Sequence, residues 1–255
     1  MPTLLVLLLA CADVPPERVD LDDGYYLLVV PDSWRAADTA PAMVHLHGHG
    51  GNPEKYLNDK ELLRDLADGG VIAAFPAGEQ NDWKIGLHVD EIARNDRKFL
   101  ASVADDLREQ FDLSSVVLSG HSNGASMVYD VACAGDGTFD AYQAISGGFW
   151  DPLPGNCTGP ARPHRALHGT EDDIWPPDGR PIRTVHQVGP EPSVTHLRDV
   201  WGCTEPPVSV PTADGLTCTN WAACDTSLCW HDGAHKLPTD WGRWAADWAA
   251  DPTTP

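Results

Sequence analysis

Residues 115–127 read Ser115-Val116-Val117-Leu118-Ser119-Gly120-His121-Ser122-Asn123-Gly124-Ala125-Ser126-Met127. An apolar, β-branched run ends in Gly-x-Ser-x-Gly, and Ala125, Met127, Val128, Val131 and Ala132 continue at helical spacing. That pattern predicts a strand, a sharp turn and a helix. A serine at such a turn is held in a tight backbone bend with its hydroxyl above the strand end, and the bend closes only where its neighbours lack a Cβ. Gly120 and Gly124 meet that condition. The turn also sets the Asn123 backbone N–H at a helix N-terminus, where it can stabilise an oxyanion forming beside the serine. Ser122 is therefore the candidate nucleophile.

Working outward, strands and helices alternate. Residues 19–30 hold Tyr25-Tyr26-Leu27-Leu28-Val29-Val30, an antiparallel edge pair that opens the sheet. Ala42-Met43-Val44-His45-Leu46 is the next strand and runs into the glycine-rich His47-Gly48-His49-Gly50-Gly51-Asn52. A helix is expected over residues 54–67, stopped by Gly69-Gly70, and Val71-Ile72-Ala73-Ala74-Phe75 reads as a buried parallel strand ended by Pro76. Phe99, Leu100, Val103, Leu107 and Phe111 mark a helix over 96–111 that feeds the nucleophile strand. Further strands are expected at 141–146 and 163–167, a helix at 193–201, and a cysteine-rich hairpin whose second arm, 227–230, is the last strand. Trp241, Trp244 and Trp248 stand at i, i+3 and i+7 on a final helix and read as core. The fold class is α/β, a doubly wound, mostly parallel sheet.

Length and composition bound the rest. A chain of 255 residues can bury one full α/β core, and residues 12–255 read as a single domain. Residues 1–10 are an apolar run too short to span a bilayer, and Leu8-Leu9-Ala10-Cys11 resembles a bacterial lipobox, so residues 1–11 are expected to be a signal peptide with Cys11 lipidated, the alternatives being an ordinary secretion signal or a start-site artefact. Removing Cys11 from the seven cysteines leaves an even set suited to three disulfides in an oxidising compartment. Cys133 with Cys157, Cys218 with Cys229 across the hairpin, and Cys203 with Cys224 are the expected pairs. The location expected is extracellular or on the cell envelope. The formal charge of −21 makes nucleic acid a poor partner and reads as a solvated surface. Contact with a membrane is expected only through the N-terminal lipid.

Ligands of open α/β sheets bind beyond the C-terminal strand ends, so the chemistry belongs in the loops that follow the strands. A serine hydroxyl needs a histidine to take its proton, and that imidazole needs a carboxylate to fix its tautomer. Thr170-Glu171-Asp172-Asp173 supplies the acid, and the loop after the last strand supplies either His231 or His235. The order Ser, Asp, His is that of α/β-hydrolases.

Together these loops resemble the extracellular polyhydroxybutyrate depolymerase, feruloyl esterase and acetylxylan esterase group of the α/β-hydrolases. The resemblance runs from about Met43 to Pro238 and rests on five pieces. They are Leu46-His47-Gly48-His49-Gly50-Gly51, Gly120-His121-Ser122-Asn123-Gly124-Ala125, His168-Gly169-Thr170-Glu171-Asp172 with Pro176, Trp201-Gly202-Cys203 and Gly233-Ala234-His235-Lys236-Leu237-Pro238. It implies Asp172 as the acid, His235 as the base, and an oxyanion hole made by the backbone N–H groups of His49 and Asn123. His231 then becomes a structural neighbour, and His168 a strand-end residue satisfied by backbone. The implied activity is a serine carboxylic-ester hydrolase that needs no cofactor and acts on a polyhydroxyalkanoate-type polyester or on feruloyl or acetyl esters of polysaccharides. The chain departs from the group where Ala234, Lys236 and Leu237 replace the usual residues around the histidine, and where Asn81-Asp82-Trp83 stands for Asn-Cys-Trp. Both departures bear on the acyl and alcohol specificity. Trp83, Trp150 and Trp175 follow strands and are candidates to stack on a feruloyl ring or sugar, the alternative being that they pack in the core or at its rim.

Two other readings have their own signals. His45, His47 and His49 alternate and would share one face of an extended strand, as a metal site requires. A non-catalytic surface binding protein on the same fold is the other, because fold alone does not prove activity.

Overall fold

In the computed structural model, residues 16–86, 90–135, 137–211 and 215–252 are described. The expected signal segment and Cys11 lie outside them. Among the described residues no helix is long and apolar enough to cross a membrane.

The chain opens with β1 (Glu17–Leu21) and β2 (Gly24–Val29), paired antiparallel, followed by β3 (Ala40–Leu46). The single helix expected over 54–67 is two, α1 (Glu54–Leu57) and α2 (Lys60–Asp68). The break has a local cause: the Asp59 carboxylate accepts from the Leu62 N–H, capping a new helix start inside the apolar periodicity. Then come β4 (Ile72–Pro76), α3 (Asp96–Gln110), β5 (Leu113–His121), α4 (Asn123–Ala134), β6 (Ala141–Ile145) and β7 (His164–Gly169). A small hairpin that sequence patterning did not show, β8 (Arg180–Ile182) with β9 (Val185–Gln187), precedes α5 (Pro190–Val200). The chain ends with β10 (Val208–Pro211), β11 (Thr217–Trp221), β12 (Thr226–His231) and α6 (Trp241–Ala250).

Ten of the described strands form one sheet in the order β1-β2-β4-β3-β5-β6-β7-β12-β11-β10. Its centre, from β4 through β12, is parallel, and antiparallel strands flank it on both sides. The cysteine-rich region is thus a three-stranded antiparallel edge, with β10 beyond the expected hairpin. Disulfides join Cys133 to Cys157, Cys203 to Cys224 and Cys218 to Cys229.

Strand alternation divides the apolar residues between two cores. Ala42, Val44, Leu46, Val116 and Leu118 face one side, where Phe99, Leu100 and Val103 of α3, Val128 of α4 and Leu197 of α5 cover them. Met43 and Val117 face the other, covered by Leu62 and Leu66 of α2 and by Trp241, Trp244 and Trp248 of α6. The tryptophan stripe is therefore core. Because β3, β5, β7 and β12 run parallel, the loops after all four emerge on one rim of the sheet.

Candidate active site

The turn after β5 is tight in the way its glycines require. Ser122 caps α4 at φ 57° and ψ −119°, a left-handed backbone that a side chain adopts only under constraint. A Cβ on Gly120 would fall 2.5 Å from the Gly124 carbonyl, and one on Gly124 would fall 2.5 Å from the Leu46 oxygen and 2.6 Å from that of His47. Two backbone segments touch here with no room for a side chain.

Three loops converge on that turn. Nε2 of His235, after β12, lies 2.8 Å from Ser122 Oγ, and its Nδ1 lies 2.8 and 3.0 Å from the two carboxylate oxygens of Asp172, after β7. Of the acids and histidines that spacing left open, only this pair meets the serine: the acid is flanked by Glu171 and Asp173, and His231 remains on β12. Burial by itself would push the Asp172 carboxyl up. The hydrogen bond from His235, the Trp175 N–H at 2.7 Å and the nearby imidazoles outweigh it and hold the group below its ordinary value. An ionised carboxylate beside Nδ1 fixes the tautomer that leaves Nε2 free to accept a proton.

Two more histidines frame the centre. His168 is buried, donates from Nε2 to the Trp175 carbonyl at 2.7 Å and lies 3.4 Å from Asp172, so backbone satisfies one ring nitrogen, while its buried Nδ1 has no hydrogen-bond partner among the described residues. The His121 ring lies 5.0 Å from that of His235. Burial, reinforced by the neighbouring His235, pushes His121 down to about 3, so it stays neutral.

The loop after β3 reaches the same place, since a Cβ on Gly48 would lie 3.1 Å from that of Ser122. His45, His47 and His49 do not share a ligand set, because β3 ends at Leu46 and the alternation does not extend past it. His45 lies 3.0 Å from Ser119 Oγ and packs against the rings of Tyr56 and Trp241. His47 Nδ1 lies 2.9 Å from the Gly48 carbonyl, and its Nε2 accepts from the Gly78 N–H. His49 bonds to Asp82. Among the described residues no cluster of three or more His, Cys, Asp or Glu is placed to hold a metal ion.

The tryptophan expectation is corrected at two of three positions. Trp83 is 0% exposed and donates to the His47 carbonyl at 2.7 Å, and Trp175 is 1% exposed and donates to the Val188 carbonyl at 2.8 Å. Both rings are enclosed by protein, with no face open to a ligand. Trp150 is half-buried, edge-on to Trp175, and remains the candidate of the three.

This geometry can be set beside known proteins. Over 92% of its length the chain superposes on the solved acetyl xylan esterase from Aspergillus awamori, covering 98% of that chain with a TM-score of 0.66 at 14% identity. The chain has the α/β-hydrolase fold. By sequence, the chain is 31% identical over 166 residues to the probable feruloyl esterase C of Aspergillus oryzae, covering 62% of its own length and 58% of that protein. It is 30% identical over 161 residues to the feruloyl esterase C of Emericella nidulans, covering 60% and 57%. The chain thus spans under two thirds of the length of these relatives. No family model matches it.

Proposed function

We propose that the chain is an exported serine carboxylic-ester hydrolase that works through an acyl-serine. The observation that carries this reading is the unbroken relay from Asp172 through His235 to Ser122 Oγ. As the Oγ–carbon bond forms at the ester carbonyl, His235 Nε2 takes the hydroxyl proton and the Asp172 carboxylate stabilises the resulting imidazolium. The carbonyl oxygen becomes an oxyanion held by the backbone N–H groups of His49 and Asn123, the latter at the N-terminus of α4. Collapse breaks the bond to the alcohol, which leaves with the proton from His235. Water then gives a proton to His235 and attacks the acyl-serine, and the serine recovers its proton as the carboxylic acid departs.

Feruloyl and acetyl esters of polysaccharides are the substrate class we propose, on the strength of the relatives matched in sequence and structure. Ile174, an exposed apolar side chain two residues past Asp172, and the half-buried Trp150, edge-on to Trp175, offer apolar surface around the loop that carries Asp172. Three disulfides support an oxidising compartment. The test is a parallel hydrolysis screen of methyl ferulate, acetylated xylan and hydroxybutyrate oligomers. Turnover confined to hydroxybutyrate oligomers would overturn the substrate class, and the absence of any turnover or fluorophosphonate labelling at Ser122 would overturn the activity.

A further inference from the structure

Asp82 stands where the resembling group carries cysteine, and the proposed mechanism leaves it unused. Its surroundings are unusual for an acid in a chain this negative. The residue is 4% exposed, and its carboxylate accepts from the His49 imidazole on one side, the Asn123 amide on another and the Trp83 N–H at 2.9 Å. His49 and Asn123 are the two residues whose main-chain N–H groups form the proposed oxyanion hole. They come from different loops, after β3 and β5, and this one buried carboxylate bonds both.

The segment that carries Asp82 is built to hold it there. Gln80 and Asn81 are consecutive left-handed residues at φ 55° and 62°, a costly backbone for side chains other than glycine. The bend is pinned on several sides. The Asp82 N–H donates to the Glu79 carbonyl at 3.1 Å, the Gly50 N–H of the oxyanion loop donates to the Asn81 carbonyl at 3.0 Å, and the Trp83 indole holds the His47 carbonyl. Strain of this kind persists where the surroundings over-determine it, and here the surroundings are the oxyanion loop itself.

We infer that Asp82 is a positioning residue that locks the His49 and Asn123 loops into one rigid oxyanion hole. The inference rests on the serine-esterase reading. Donors fixed before the charge develops cost no reorganisation during the reaction, so loosening both loops should act on the transition state and spare ground-state binding.

The test uses the full chain as wild type, Asp82→Ala and Asp82→Asn. It measures kcat and KM on p-nitrophenyl acetate, the thermal midpoint, and inhibition by a trifluoromethyl ketone, whose hemiketal oxyanion would occupy the hole. Asp82→Ala is expected to lower kcat about 10²–10³-fold, the effect of losing an oxyanion donor, with KM within about threefold. Ketone affinity should fall by a similar factor at temperatures where the protein is fully folded. Asp82→Asn, whose amide can still accept from Asn123 and donate to His49, should recover most of that loss and remain about tenfold below wild type. Should the alanine variant not fold, the asparagine variant decides, and kcat and ketone affinity both within twofold of wild type would overturn the inference. So would a folded alanine variant that loses kcat without losing ketone affinity, as a merely structural acid would do. A wild-type chain that neither hydrolyses esters nor labels at Ser122 sinks the esterase reading and this inference together, whereas active wild type with fully active Asp82→Ala sinks only the latter.

Discussion

The imidazole of His235 lies 2.8 Å from the hydroxyl of Ser122 although 113 residues separate them in the chain. Parallel β5 and β12 end on the same rim, and the loops beyond them close that separation. Replacing Ser122 or His235 by alanine should lower kcat by roughly 10⁴-fold or more with a small change in thermal midpoint. Asp172→Asn should cost about 10⁴-fold, because an amide beside Nδ1 favours the wrong tautomer. Initial rates on a short p-nitrophenyl ester check all three, and a Ser122→Ala variant within tenfold of wild type would refute the nucleophile assignment.

Gly124 faces the carbonyls of Leu46 and His47 with no space for a methyl group. Gly124→Ala must push β3 away from the Ser122 turn, at a cost of about 1–3 kcal/mol in stability. Activity should fall further than the stability loss explains, because the loop that moves carries His49. Paired denaturation and kinetic measurements read both effects, and an alanine variant with wild-type rates would show that the turn has slack.

His164 is buried between the rings of Tyr129 and Trp201, and burial lowers it from the ordinary 6.5 to about 3. The unfolded chain binds a proton near 6.5 and the folded chain resists it until about 3, so this contribution is complete above pH 6.5 and is lost as pH falls towards 3. His164→Phe should flatten the dependence of thermal midpoint on pH across that window. Because slopes are compared, a packing offset does not disturb the result; an unchanged slope would contradict the burial argument.

Cys218 and Cys229 pair directly across β11 and β12, and the His235 loop leaves the end of β12. Cys218→Ser should cost about 2–4 kcal/mol. In a chain of this size that is a fall of roughly 4–16 °C in thermal midpoint. Calorimetry with and without dithiothreitol checks it, since the variant should lose part of the sensitivity to reductant.

Much of this was legible before any coordinates, for reasons that are local. Residues 115–127 predict strand, turn and helix because a β-branched run, two glycines and helical spacing each act within a few residues. The same holds for the tryptophan stripe of α6. Where local signals compete, the reading blurs: residues 54–67 show one helical periodicity, yet Asp59 restarts the helix within it. The short β8–β9 hairpin and β10 lack enough alternation to announce themselves.

The sequence by itself determined the candidate nucleophile, the alternating architecture and the set of loops that could carry chemistry. Residue spacing left open which acid among Glu171, Asp172 and Asp173, and which of His231 and His235, would meet Ser122; the resemblance pointed to Asp172 and His235, and the tertiary structure brings that pair to the serine. Only the folded chain decided that Trp83 and Trp175 turn inward and that Asp82 bonds both His49 and Asn123. The physical reason is range. Turn and helix preferences are written in neighbouring residues, whereas the meeting of side chains from separate loops depends on strand order, and strand order is settled by the burial of two cores on opposite faces of one sheet.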